Sequence, residues 1–273
     1  MLIRTISGAI ITLLMLIAVA LSGIPFVLNS IMALIAAMGM YEMLKAGGIA
    51  KHKGLTAGAV LFAAGFVFCS YSVIPDYRSW LTLASFLLIL GMFTYYLRRY
   101  ENIAFNDLMF ALMMTLIVSY FFSAIVLVRE GVQGLWHLIL IFVLAWIPDT
   151  GAYLCGSAFG KHKLAPVISP KKTVEGALGG LVLCVGITYL YAWLVDRFSD
   201  ASANYWVVIV YALLGTLISI LGDLTASLIK RHYKVKDYGT LIPGHGGIMD
   251  RFDSIWFVAP FVWLMMNLSP IFN

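Results

Sequence analysis

The sequence predicts an all-α, polytopic integral membrane protein with about nine transmembrane helices, on three observations. Of its 273 residues, 62% are hydrophobic and only 11% are charged, against roughly 25% charged in soluble domains. That is too little charge to coat a soluble enzyme of this size, and disordered or coiled-coil chains are richer in charge still. The charged residues are also clustered, which leaves runs near the roughly 20 apolar residues that cross a bilayer as helix. Finally, these runs lack the two-residue alternation of a barrel strand, and lipid cannot satisfy an open strand edge.

In chain order the charge-free windows are 5–41, 54–75, 79–97, 108–128, 131–148, 176–195, 201–222 and 254–273. The first holds 37 residues with Ser22, Gly23 and Pro25 near its middle, enough for two helices joined by a tight turn. Eight windows, one of them double, predict nine helices. Arg4, the apolar run after it and Ala18-Val19-Ala20 also resemble a cleavable signal peptide, but the run is long and leads directly into a second one. Cys69, Cys155 and Cys184 lie in apolar stretches without CxxC spacing, so they support neither a disulfide framework nor a zinc site. The sequence has no internal repeat and no low-complexity segment.

Lysine and arginine set the expected orientation. With the N-terminus inside, the inner loops hold Arg4, Lys45, Lys51, Lys53, Arg98, Arg99, Lys161, Lys163, Lys171, Lys172, Lys230, Arg231, Lys234, Lys236 and Arg251. These are 15 of the 18 basic residues, against Arg78, Arg129 and Arg197 outside. The chain is therefore expected in the cell inner (plasma) membrane with its long polar loops in the cytoplasm.

Two regions are expected. Residues 1–135 are apolar spans with short loops, assigned to packing and, from position alone, to a lipid entry path. Residues 136–273 form a catalytic transmembrane region with polar loops at 149–176 and 222–253. The Gly176–Gly180 spacing is a GxxxG, expected to serve helix packing.

Asp223 follows 22 uncharged residues and ends a span that should stay helical to about Arg231. At about 100° per residue, Asp223, Ser227 and Lys230 share one narrow face, with Arg231 at its edge. A carboxylate, a hydroxyl and an ammonium on one face suit a metal–phosphate site, although a snorkelling interfacial pair would look the same. Pro243-Gly244-His245-Gly246-Gly247 cannot be helical, and its glycines let backbone N–H groups approach an anion. It lacks the Lys-Ser/Thr ending of a P-loop, and a plain re-entry turn is the competing account. Asp250 and Asp253, three apart, are expected as neighbours on a helix that enters the last span. Carboxylates at a membrane boundary beside lysines fit Mg²⁺ held jointly with phosphates. Asp149 lies within a span, where an idle carboxylate costs about 2.5–3.5 kcal/mol. In Ser169-Pro170-Lys171-Lys172-Thr173-Val174-Glu175-Gly176, lysines and hydroxyls before a helix start predict an anion site, or else a basic anchor with a helix cap.

Ser227-x-x-Lys230-Arg231, four residues, Lys236-Asp237, then Pro243-x-His245-Gly246-Gly247-x-x-Asp250-Arg251-x-Asp253 resembles the signature of the phosphatidate cytidylyltransferases, also called CDP-diacylglycerol synthases. Asp149-x-Gly151-Ala152-Tyr153, Phe159-Gly160-Lys161, Ser169-Pro170-Lys171-Lys172-Thr173-x-Glu175-Gly176 and Gly222-Asp223-Leu224 are similar to that family as well. The motifs span about residues 145–255, whereas 1–135 matches in hydropathy alone. The resemblance implies formation of CDP-diacylglycerol from CTP and phosphatidate with release of pyrophosphate, dependence on Mg²⁺ in a two-cation site, and a homodimer in a lipid membrane. It implies metal ligation by Asp223 and Asp250, and active-site places for Asp149, Lys172, Ser227, Lys230, His245, Arg251 and Asp253. Among these, Asp149, Lys230, Arg231, Arg251 and Asp253 are expected at the chemistry, and Ser169, Lys171, Lys172, Ser227, His245, Gly246 and Gly247 at the substrates. No nucleic acid is expected as a partner.

Other classes fit less well. A secondary transporter also uses carboxylates at membrane depth, but with paired halves and polar groups near the midplane. A CDP-alcohol phosphotransferase would carry a dense run of aspartates that is missing here, and a membrane scaffold has no need of the acid–base–glycine cluster.

Overall fold

The computed structural model describes residues 2–71 and 74–272, without the side chains of residues 2–6. Arg4, counted above as cytoplasmic, therefore has its side chain outside the described residues. Among the described residues there are nine α-helices: α1 (Leu2–Ala20), α2 (Val27–Ala46), α3 (Lys53–Cys69), α4 (Tyr77–Leu97), α5 (Phe105–Glu130), α6 (Gly134–Phe159), α7 (Val174–Phe198), α8 (Tyr205–His232) and α9 (Ile255–Leu268). Each single charge-free window supplies most of one helix and the double window two, broken by a 3-10 turn at Leu21–Gly23 and by Phe26 at φ 63°. By length and composition α2, α4, α5, α6, α7 and α8 can each cross a bilayer, and the other three are shorter apolar helices. The chain is a multi-pass, all-α membrane protein. Its outward side chains are those that lipid tolerates and water does not: Leu61, Val182 and Trp206 are 72%, 70% and 82% exposed.

One element departs from the helical pattern. Strands β1 (Lys163–Ala165) and β2 (Ser169–Thr173) form an antiparallel hairpin ahead of α7. Pro170 keeps Ser169 out of helical conformation and fixes its own φ, so the lysine-rich segment runs extended until a cap starts the helix.

Contacts divide the chain into two units, residues 1–127 with 233–251, and residues 128–232 with 252–273. In the first, α2 packs on α1 and α3, and α3 on α4, around Met32, Met40, Met43 and Ile49, each at most 1% exposed. The loop after α8 belongs to this unit and rests its 3-10 turn, Met249–Arg251, on α2.

In the second unit α6 lies along α7, and α8 and α9 complete the bundle. The α6–α7 approach is close because two α7 glycines carry no Cβ. A Cβ on Gly180 would lie 2.5 Å from the Pro148 carbonyl oxygen, and one on Gly176 2.7 Å from that of Ala152. The GxxxG thus packs helices, as expected. Pro148 has no N–H for the carbonyl one turn earlier, and Ser219 of α8 donates to the adjacent Ala145 carbonyl at 3.1 Å. Asp149, the next residue, is held in this closely packed part of the unit.

Candidate active site

In the second unit three elements bring charges together. Successive residues of a strand point to opposite sides: Lys171 is exposed, while Lys172 is half-buried and lays its ammonium against Asp223 Oδ2. Asp223 Oδ1 accepts from the Ser227 hydroxyl at 3.4 Å, one helical turn later on the face expected from the sequence. Asp149 on α6 accepts from the Ser254 hydroxyl at 3.2 Å, and Lys172 and Asp223 are the charges that act on it. Lys230 follows on the same side of α8 and is buried, at 8% exposure. Arg231 is exposed, with Nε donating to the Ile168 carbonyl at 3.4 Å. An ammonium paired with one carboxylate, its charge felt by a second, forms a site able to exchange that cation for another, or to aim it at a phosphate.

The Thr173 side chain holds Lys172 in register. Its Oγ1 accepts the Gly176 N–H at 3.1 Å and caps α7, so the strand ends and the helix begins at a set place. Glu175 turns back to accept the N–H of Lys161 at 3.0 Å and of His162 at 3.2 Å. The hydroxyl at the start of α7 is therefore a cap, the second of the two accounts offered above, and Ser169 pairs with Ala165 in the hairpin.

In the first unit the glycine-rich segment is a compact loop. Ile242 and Gly246 pair across it, the Ile242 N–H meeting the Gly246 carbonyl at 2.9 Å, with Gly244 and Gly246 at φ 78° and 83°. Gly247 was expected to offer its N–H to a bound anion. The anion it meets is internal: Asp250 Oδ2 accepts the N–H of Gly247 at 2.9 Å and of Tyr238 at 2.8 Å. Glu42 Oε2 accepts that of Met249 at 3.0 Å.

Asp250 and Asp253 do not share an α-helix. Asp250 lies in the 3-10 turn Met249–Arg251, and α9 begins at Ile255, beyond Asp253. The two N–H donors draw the Asp250 carboxylate into the loop, and the chain turns there. Asp253 sets its carbonyl 2.9 Å from where a Cβ on Gly222 would stand, so Gly222 admits the chain to α8.

Ser7 holds the His245 ring. Its hydroxyl reaches the Pro243 carbonyl at 3.0 Å, and its oxygen lies 2.7 Å from His245 Nδ1, a hydrogen bond whose direction follows the ring's tautomer. His245 lines a cavity of about 610 Å³ with Lys236, Pro243, Gly246 and Arg251. Arg251 Nε is buried and has no hydrogen-bond partner among the described residues, a position that an incoming anion would satisfy.

Among the described residues no group of three or more His, Cys, Asp or Glu side chains is arranged to hold a metal ion. Carboxylate oxygen is nevertheless the donor Mg²⁺ prefers. Asp223 fits on chemistry, being one-fifth exposed with lone pairs beyond those given to Lys172 and Ser227. Asp250 is 4% exposed and its Oδ2 serves two N–H groups, so its carboxylate is first of all part of the loop.

Ser7, Glu42 and Ser254 were not among the residues singled out from the sequence. Glu42 stands one residue beyond the 5–41 window, where a carboxylate reads as an interfacial end-marker. Its burial, 7% exposed, is the signal that separates it from one, and it appears only on folding.

The chain matches the model of the cytidylyltransferase family over residues 2–269. It is similar to a phosphatidate cytidylyltransferase of Staphylococcus aureus, 35% identical over 276 residues that cover 98% of this chain and 99% of the relative. Proteins of that name from Staphylococcus haemolyticus and Staphylococcus epidermidis are 41% identical over 168 residues and 40% over 166, each match covering 61% of this chain and 62% of the relative. The chain belongs to the cytidylyltransferase family.

Proposed function

With that membership as the premise, we propose that the protein transfers the cytidylyl group of CTP to phosphatidate, forming CDP-diacylglycerol and pyrophosphate in phospholipid synthesis. A phosphatidate oxygen bonds to the α-phosphorus of CTP, the α–β phosphoanhydride bond breaks, and pyrophosphate leaves with that electron pair. The phosphomonoester is already largely dianionic at pH 7, its second pKa being about 6 by analogy with phosphoserine. The nucleophile thus needs little from a general base. What it needs is relief from anion–anion repulsion and a fixed line of approach.

The observation that carries this reading is the Lys172 ammonium paired with Asp223, with Asp149 near enough to feel both charges, in a chain of this family. Asp223 orients Lys172, Ser227 orients Asp223, and Ser254 orients Asp149. Lys230 and Arg231 extend the positive charge along α8, and Arg251, with its unpartnered Nε, offers a guanidinium to phosphate. His245, held by Ser7, lines the same cavity as Arg251. Asp223, in the second unit, and Asp250, in the first, are each proposed as a carboxylate ligand to Mg²⁺, which when bound would screen the triphosphate and polarise the phosphorus–oxygen bonds. We place these groups on the cytoplasmic side of the inner membrane because 15 of the 18 basic residues fall on that side, where CTP is found and where the phosphatidate head group meets water.

The test is pyrophosphate release by the purified protein in lipid vesicles. Release that requires both CTP and phosphatidate, with CDP-diacylglycerol recovered in equal amount, is the expected result. A folded protein releasing none under any Mg²⁺ concentration would exclude the activity.

A further inference from the structure

We infer that Glu42, in α2, is a positioning residue for the glycine loop of the active site. Four observations within one unit converge on it. Its carboxylate is buried at 7% exposure and accepts the Met249 N–H at 3.0 Å, with the Ile248 N–H as a second donor. A Cβ on Gly247 would stand 2.3 Å from Glu42 Oε2, and one on Gly239 2.3 Å from Oε1. The two glycines therefore clear the space that this carboxylate occupies. Met249 is wholly buried, and its sulfur lies 3.3 Å from where a Cβ on Gly39 would be. Gly39 and Glu42 are three apart on one face of α2, so the loop is attached there twice, by a hydrogen bond and by packing.

The chemistry explains why a carboxylate stands there. Buried backbone N–H groups in a non-helical turn need acceptors. Asp250 serves Tyr238 and Gly247 from within the loop, and Glu42 serves Met249 and Ile248 from outside it. Between them the segment 238–250 is folded around two carboxylates. That sets the course of the chain through His245 and into Arg251, which follows Asp250 directly and whose Nε is buried. Glu42 acts by fixing the loop that carries residues proposed for the active site, and its role therefore rests on the active-site assignment of that loop.

Full-length protein in lipid vesicles serves for the test, with Glu42→Ala, Glu42→Gln, Gly247→Ala and the pair Glu42→Ala/Gly247→Ala, read by hydrogen exchange of the peptide covering 239–249 and by turnover. Glu42→Ala should speed exchange at Ile248 and Met249 about tenfold or more and lower kcat on the order of 10- to 100-fold, with KM for CTP changed less. Glu42→Gln, which keeps one acceptor at the same reach, should lie between it and the natural protein. Gly247→Ala should be impaired alone, yet the double variant no worse than Glu42→Ala, because the oxygen that its methyl would strike is gone. Unchanged exchange at 248–249 in Glu42→Ala overturns the inference whatever the turnover, as do losses that multiply in the double variant. Faster exchange with natural turnover also overturns the positioning role. If Arg251→Ala is then active too, the fault lies in placing the loop at the active site.

Discussion

The Lys172 ammonium rests on the Asp223 carboxylate although 51 positions separate them in the chain, because strand β2 turns Lys172 inward and α8 presents Asp223 to meet it. Each side chain is about four-fifths buried, so neither charge is fully hydrated, and losing one leaves the other poorly compensated. From this pair and its neighbours several outcomes are expected.

Asp223→Asn should lower kcat by about two to three orders of magnitude and shift the Mg²⁺ dependence to higher concentration, as loss of a cation ligand requires. Lys172→Ala should weaken phosphate binding with a smaller effect on Mg²⁺ dependence. The double variant should lose less than the product of the single losses, since the two residues share one interaction. Steady-state rates across a Mg²⁺ series decide this, and wild-type rates for Asp223→Asn at limiting Mg²⁺ would remove the metal assignment.

Ser254→Ala removes the hydroxyl that donates to Asp149 at 3.2 Å. A hydrogen bond to a charged group is worth roughly 1.5–3 kcal/mol, so kcat/KM should fall about 10- to 150-fold. Asp149→Asn should cost more than that. An inactive Asp149→Asn beside a fully active Ser254→Ala would mean that Asp149 needs no orienting hydroxyl.

Gly180→Ala would press a methyl group toward the Pro148 carbonyl oxygen, which is backbone and cannot swing away. Overpacking of this kind costs about 1–3 kcal/mol, and because Asp149 is the next residue, activity should fall with stability. Gly186 lies on the same helix with nothing within 4 Å of an added Cβ. Gly186→Ala should therefore be neutral or slightly stabilising through helix propensity. Thermal unfolding of the two variants side by side measures the difference, and equal melting temperatures would contradict the α6–α7 packing.

Thr173→Ala deletes the cap of α7 and should lower stability by about 1 kcal/mol, while Thr173→Ser keeps the oxygen and should recover most of it. Activity should follow stability in this pair, because Lys172 precedes the cap directly. A Thr173→Ser variant as impaired as Thr173→Ala would assign the effect to the lost methyl group.

Single cysteines at positions 51, 99, 171 and 234, in a chain without its native cysteines, should be shielded from an impermeant thiol reagent added to intact cells. Those at 78, 129 and 197 should react. Labelling of position 234 from outside would invert the topology and separate the loop from cytoplasmic CTP.

The sequence by itself determined the helices and the face of α8. Apolar content and charge spacing decide where a chain can cross lipid, and both are local quantities, so every charge-free window supplied a helix. The one-turn spacing of Asp223 and Ser227 is likewise set by helix geometry, and their hydrogen bond follows from it. Tertiary structure alone decided which of two adjacent lysines meets Asp223, since only the β1–β2 pairing orients Lys172 inward and Lys171 outward. It also decided that the glycine loop closes on Asp250 and Glu42, so that Gly247 spends its N–H inside the protein. Glu42 and Met249 are 207 positions apart, and no periodicity connects them. An acid at a helix end has the same sequence pattern whether water or a loop's N–H groups solvate it. The difference between those two environments arises only when the loop packs against α2, and there desolvation turns Glu42 from a boundary charge into the anchor of the loop.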